Sequence, residues 1–375
     1  MPSPFDPITI AGVEMRNRFM RSATWDASAT DDGLVTDSSV RIFESLAKGG
    51  LGLIMTGYAY ISDVGKAAIG QYGIAEDRHI AGLRRLVEVA HANGARIAAQ
   101  IAHAGNNRRI LGRTDRVALC PSAVDDPHWP QRSMTGEEIE QTIADFAAAA
   151  VRARKAGFDA VQLHFAHGYL GSQFLSPLSN RRVDAWGGTP EKRRRFHVET
   201  IRAVRKAVGD AFPVWAKFGL VEGEGGVTLA EGLEALKAMV AEGLSAVEIS
   251  MGQGGSSSRP AQPDDAESLY FRAEAAAAKK AGGIPTMMVG GLGRIETAEA
   301  IIASGDADMV SLARPLIREP GLIARWQSGD RAPVRCIRCN KCLAATFAER
   351  DFQCQQEKLL REQAAAVIEE TGASP

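Results

Sequence analysis

Two imidazoles and a phenol share one short segment, His164-Phe-Ala-His167-Gly-Tyr169, directly after the strand-like run Asp159-Ala-Val-Gln-Leu163. A turn at a strand end can bring all three polar groups over one planar ligand. The histidine pair has three readings: core or rim residues, donors to a substrate oxygen, or metal ligands. The last needs a third ligand, for which His103 is the only nearby candidate by strand order, and no further carboxylate supports it.

Cys336-Ile-Arg-Cys339-Asn-Lys-Cys342, with Cys354 after eleven intervening residues, is the second candidate centre. Four thiols at this spacing imply a metal. Sulfur ligands without histidine suit either a [4Fe–4S] cluster or structural zinc. The fifth cysteine, Cys120, stands alone and reads as a small buried hydrophobe. This is a ligand-like distribution, not a disulfide framework, and it fits a reducing, cytoplasmic compartment.

The elements that must position these groups alternate along the chain. Eight apolar runs read as strands: 18–22, 51–56, 96–101, 160–164, 214–218, 246–250, 286–289 and 308–312. Amphipathic stretches at 39–48, 79–93, 136–156, 190–207, 229–242, 265–281, 294–304 and 315–328 read as helices. Eight strand–helix pairs predict an α/β fold, a (β/α)8 TIM barrel with a C-terminal cysteine-rich extension, with its chemistry at the C-terminal ends of the strands. A doubly wound open sheet is the alternative, disfavoured because no early strand–turn–helix carries a dinucleotide fingerprint. The division expected is a barrel over 1–330 and a cysteine loop with a terminal helix over 331–375. The segment from about 104 to 134 reads as a long loop on the site rim.

At the strand ends stand Ser22-Ala23-Thr24, Thr56-Gly57, Gln100 with His103, the His164 segment, Lys217, Ser250, Gly290-Gly291 and Ala313-Arg314. Gly290, Gly291 and Arg314 follow the last two strands, where barrels commonly bind phosphate. Lys217 sits inside an apolar run, where a buried ammonium is costly without a partner. It is either a polar tip facing solvent or a cation serving an anionic ligand.

These residues resemble the Old Yellow Enzyme family of flavin oxidoreductases. The likeness runs from Asn17-Arg-Phe through Gln100-Ile-Ala-His-Ala-Gly105, the His164 loop and Pro190-Glu-Lys-Arg-Arg-Arg-Phe196 to Arg314-Pro-Leu. It implies bound FMN, with Ser22, Ala23, Thr24, Gly57, Gln100 and Lys217 at the ring and Gly290, Gly291, Ala313 and Arg314 at the phosphate. His164 and His167 would then bind the oxygen of an activated alkene, flavin N5 would deliver hydride to the β-carbon, and Tyr169 would protonate the α-carbon. NADH or NADPH would reduce the flavin at the same site. Two departures stand out: Trp25 follows Thr24, where it would narrow the substrate pocket, and Trp186 replaces the tyrosine of a Tyr-Gly-Gly.

The cysteine fragment is similar to the cluster loop of 2,4-dienoyl-CoA reductases and trimethylamine dehydrogenases. That likeness keeps two other activities open, amine dehydrogenation or demethylation and a flavin/iron–sulfur electron-transfer subunit. The expected partners are a small activated alkene, an electron-transfer protein and further copies of the chain. A formal net charge of -1 gives no basic face for nucleic acid, and no apolar run approaches the ~20 residues of a membrane helix.

Overall fold

In a strand, successive side chains point to opposite faces, so period-two patterning decides which residues meet inside a closed sheet. A computed structural model of the chain describes residues 2–107, 117–125, 130–252 and 269–371. Its eight principal strands are β1 (Phe19–Arg21), β2 (Leu53–Met55), β3 (Arg96–Ala102), β4 (Ala160–Phe165), β5 (Val214–Gly219), β6 (Ala246–Ser250), β7 (Thr286–Val289) and β8 (Met309–Leu312). All pair in parallel with their chain neighbours, and Val310 of β8 pairs with Phe19 of β1, closing a barrel. The open-sheet alternative falls.

Alternation then builds two cores. Residues such as Ile97, Val161, Leu163, Ala216 and Phe218 face outward into the layer shared with the helices. Met20, Leu53, Ala98, Ala160, Trp215, Ala246, Met287 and Met309 face inward near the strand starts. A hairpin of Ile8–Ile10 with Val13–Met15, absent from the sequence reading, adds Ile10, Val13 and Met15 to this floor.

The principal helices are α1 (Asp37–Lys48), α2 (Ile80–Ala92), α3 (Gly136–Ala156), α4 (Pro190–Val208), α5 (Leu229–Ala241), α6 (Arg272–Gly282), α7 (Ile295–Ser304) and α8 (Leu322–Gln327), followed by α9 (Lys341–Glu349) and α10 (Gln355–Thr371), with a short helix Leu170–Leu175 directly after Tyr169. The start of α3 follows the capping box, in which the Thr135 side chain accepts from the Glu138 N–H while Glu138 reaches back to the Thr135 N–H.

Two helices depart most from the sequence reading. The helix expected at 265–281 begins at Arg272, and 265–268 lie outside the described residues. The helix expected at 315–328 is two pieces, Arg314–Arg318 and α8, interrupted at Glu319-Pro320-Gly321 because the residue before a proline is driven out of the helical region. This break presses on Gly49, where a Cβ would lie 1.8 Å from the Pro320 carbonyl oxygen. Helix α9 was not anticipated, while α10 matches the expected terminal helix. Within the long loop, Ala118–Cys120 pairs in parallel with Gln131–Ser133. Among the described residues, no helix is long and apolar enough to cross a membrane.

Trp215 is the largest fully buried side chain, and it fills the barrel floor. Its replacement by alanine is expected to cost about 3–5 kcal/mol of unfolding free energy in chemical denaturation. A loss below about 1 kcal/mol would mean that the floor collapses around the gap.

Candidate active site

Above the apolar floor the inward positions turn polar. Parallel register makes Gln100 the partner of Gln162, and it places His164, Lys217 and Glu248 in one row across β4, β5 and β6. Lys217 and Glu248 are buried, their Nζ and Oε1 3.0 Å apart. The Lys217 ammonium donates to Ser22 Oγ at 2.6 Å, Ser22 donates to Glu248 Oε1 at 2.7 Å, and Gln162 donates to Glu248 Oε2 at 3.1 Å. Gln100 donates to Gln162 Oε1 at 2.7 Å. Lys217 is therefore not a solvent-facing tip. Glu248 and Gln162 escaped the sequence reading, although alternation with Ala246 and Ser250 aims Glu248 inward.

A cavity of about 450 Å³ opens over this layer, within the usual range for cofactor pockets. Ser22, Ala23, Thr24, Trp25, Gln100, His164, His167, Tyr169, Lys217, Gly290, Gly291, Ala313 and Arg314 all line it. Gly57 does not. A Cβ there would stand 2.9 Å from the Thr24 carbonyl oxygen, so this glycine serves the close approach of two backbones beside the site.

The His164 turn is held from both sides. His167 takes a left-handed backbone (φ 61), uncommon for a residue with a Cβ, and its N–H donates to the Met251 carbonyl at 2.9 Å. Its Nε2 lies 2.7 Å from Ser250 Oγ. The ring of His164 is 5.1 Å from that of His167 and 4.8 Å from that of Tyr169. Burial first, then His167 and Lys217, hold His164 well below the usual imidazole range. Burial and Lys217 lower His167 to about 3. Both rings are thus neutral at physiological pH, and His164 Nδ1 is buried without a partner among the described residues.

Burial raises the pKa of Tyr169, and a hydrogen bond from Tyr58, whose ring centroid is 5.3 Å away, opposes the rise. Tyr58 was not anticipated in the site. Its own phenol is pushed well above the usual range, chiefly by burial.

The phosphate corner is built from backbone. Gly290 (φ 102) and Gly291 (φ 77) occupy conformations that a side chain would strain, and a Cβ on Gly290 would meet Tyr270 at 2.8 Å. Arg314 donates to Asn340 Oδ1 at 2.7 Å, while Arg338 donates to the Gly291 carbonyl at 2.9 Å. Two guanidiniums therefore flank this corner where the sequence suggested one. Ser311 Oγ, Trp25 Nε1 and His164 Nδ1 are buried without partners among the described residues, and all three residues line the cavity, which leaves polar atoms for an entering cofactor or substrate. The residues present fit FMN.

The extension supplies the roof. Trp25 packs on Phe347 of α9 with ring centroids 4.8 Å apart, and Leu343, Thr346 and Phe352 line the same cavity. Arg350 reaches back to Asp31 at 2.9 Å, and Arg318 pairs with Glu357 of α10 at 2.8 Å. Trp186 lies outside the cavity, beneath the Arg195 guanidinium at 4.5 Å.

Cys336, Cys339, Cys342 and Cys354 line a separate cavity of about 20 Å³, and Cys342 lines the larger one as well. Burial raises the Cys336 and Cys342 thiols, and the neighbouring cysteines raise both further. Among the described residues, however, no group of three or more histidine, cysteine or acidic side chains is arranged to hold a single metal ion. This applies equally to His103 with the His164 pair. Cys120 is buried and its thiol is raised by burial to about 11, which leaves it unreactive.

The family model described as NADH:flavin oxidoreductase / NADH oxidase matches residues 3–332. An NADH oxidase of Thermoanaerobacter brockii is 36% identical over 90% of this chain and 53% of its own length. An NADPH dehydrogenase of Geobacillus sp. (strain WCH70) is 35% identical over 84% of this chain and 91% of its own. Among solved structures, a 2-naphthoyl-CoA reductase bound to 2-naphthoyl-CoA is 29% identical with a TM-score of 0.86, covering 94% of this chain and 56% of that one. The chain spans about half the length of the first curated relatives it matches.

His167, half-buried, and His197, buried, are lowered to about 3. The unfolded chain takes up these protons near pH 6.5, so between the two values it binds more protons than the fold does. Stability contributed by both rings is complete above about pH 6.5 and is lost as pH falls toward 3. In NMR titration their ring signals should stay in the neutral position from pH 8 to 5, while denaturation midpoints drop across that range. A ring titrating near 6.5 in the folded protein would contradict this.

Proposed function

The chain belongs to the NADH:flavin oxidoreductase / NADH oxidase family, and from that we propose an FMN-dependent oxidoreductase that reduces the activated C=C bond of an enone or enoyl compound, with NADH, NADPH or a small electron carrier as donor. The carrying observation is the neutral imidazole pair, one nitrogen of it unpartnered, beside a buried phenol in one cavity. Bound FMN would supply the redox chemistry that links the electron donor to the alkene. Ser22, Ala23, Thr24, Gln100 and Lys217 would hold its ring, and Gly290, Gly291, Ala313 and Arg314 its phosphate, with Arg338 added.

His164 and His167 bind and polarise a substrate oxygen by hydrogen bonding. Burial keeps the Tyr169 phenol protonated, so it has a proton to donate to the substrate carbon. Trp25 and Phe347 form an apolar wall suited to a planar conjugated group, and the 2-naphthoyl-CoA named with the solved relative is of that kind.

The same wall favours a second reading, oxidation of an amine, because aromatic faces attract alkylammonium groups. The imidazole pair speaks for the oxygen ligand. A third reading, transfer of electrons to a protein partner, draws support from Cys342, which borders both cavities. Cys336, Cys339, Cys342 and Cys354 border one small cavity, and a [4Fe–4S] cluster held there would supply single-electron transfer, with zinc as the alternative.

In anaerobic titrations, NADPH should bleach the flavin and an enone or enoyl thioester should restore it. Tyr169→Phe should slow the alkene-dependent step by about 10²–10⁴-fold while sparing reduction. Equal slowing of both half-reactions, or reoxidation by amine or protein partners alone, overturns the assignment. His164→Ala should weaken binding of a phenol with flavin retained. Colourless protein that refuses FMN would remove the basis of the proposal. For the cysteines, elemental analysis should find iron with acid-labile sulfide, and loss of both in Cys342→Ser; stoichiometric zinc would reverse that choice.

A further inference from the structure

The mid-strand lysine of this barrel does not face its ligand as an isolated cation. Lys217 Nζ and Glu248 Oε1 are 3.0 Å apart with both side chains buried, and Ser22 Oγ bridges them by accepting from one and donating to the other. Gln162 occupies the second carboxylate oxygen. An ammonium has three protons, and the described residues account for two, so one N–H of Lys217 remains for a molecule entering the cavity it lines. Glu248 itself does not line that cavity.

Removing two charges from water is tolerable only when each is matched in charge and hydrogen bonding. Here the match is complete on the carboxylate side and left open by one donor on the ammonium side. We propose that Glu248 is a positioning residue, the fixed counter-ion of Lys217, and that the pair rather than the lysine alone sets the charge presented to the flavin ring. The proposal rests on the reading that FMN lies against this polar layer.

The consequence concerns redox potential. Two-electron reduction of FMN leaves negative charge on the ring, and a nearby cation favours that state. A carboxylate locked to the cation offsets much of this effect, so the layer holds a lower potential than a free lysine would give. Neutralising the carboxylate should unmask the cation. Geometry also explains why lysine suffices here: its compact ammonium serves Ser22, Glu248 and one further acceptor, where a planar guanidinium fork would demand a different arrangement.

The test is the midpoint potential of bound FMN, measured spectroelectrochemically in the wild type, Glu248→Gln, Glu248→Asp, Lys217→Gln and the Lys217→Gln/Glu248→Gln double variant. Glu248→Gln should raise the potential, Lys217→Gln should lower it, Glu248→Asp should keep it near the wild-type value, and the double variant should return toward wild type because the whole pair has gone. The double variant should also withstand more denaturant than either Gln single, each of which leaves one buried charge unmatched.

A Glu248→Gln variant that stays yellow at unchanged or lowered potential, while Lys217→Gln does lower it, overturns the counter-ion role. So does an equal shift in Glu248→Gln and Glu248→Asp, which would trace the effect to shape, or a double variant no more stable than the singles. Failure of the underlying reading looks different: wild-type protein takes up no FMN, or all five proteins bind it at one common potential.

Discussion

Parallel register is the constraint on which the site depends. Once β1 to β8 close on one another, every second side chain must point inward, and the position along each strand decides how deep it sits. The first inward row is apolar and is filled by Trp215 and the methionines. Further along the strands register sets Lys217 level with His164 and Glu248, and Gln162 level with Gln100, so that these polar groups are buried beside partners. A one-residue slip in any of these strands would turn its polar group into the helix-facing core.

Electrostatics of the cavity follow from that row. Lys217 lies close enough to both histidines to oppose their protonation, and burial acts in the same direction. Neutral imidazoles can donate a hydrogen bond without carrying charge, which suits an uncharged carbonyl ligand. Tyr169 is subject to opposing influences, since burial raises its pKa and Tyr58 lowers it. The fold thus keeps His164 and His167 neutral and the Tyr169 phenol protonated near neutrality.

The extension beyond the barrel is part of the same construction. Its α9 packs Phe347 on Trp25, Arg338 reaches the Gly291 carbonyl, and Cys342 stands between the large cavity and the small one. Trp25, unusual beside the resembling family, has its explanation here: the indole needs an apolar partner, and the extension brings one.

Periodicity, caps and breakers in the chain by themselves determined the strands, most helices and hence the barrel, because these are local consequences of side-chain spacing. The residues His164, His167, Tyr169, Lys217, Gly290 and Arg314 were legible as a site for the same reason, each standing at a strand end. Only the tertiary structure decided what those residues face. Glu248 pairs with Lys217, Tyr58 adjoins Tyr169, and Phe347 and Phe352 cover the cavity across separations of about thirty to more than three hundred residues. It also decided that Gly57 serves backbone packing. Contacts of that range depend on closure of the barrel and docking of the extension, and no local spacing encodes them.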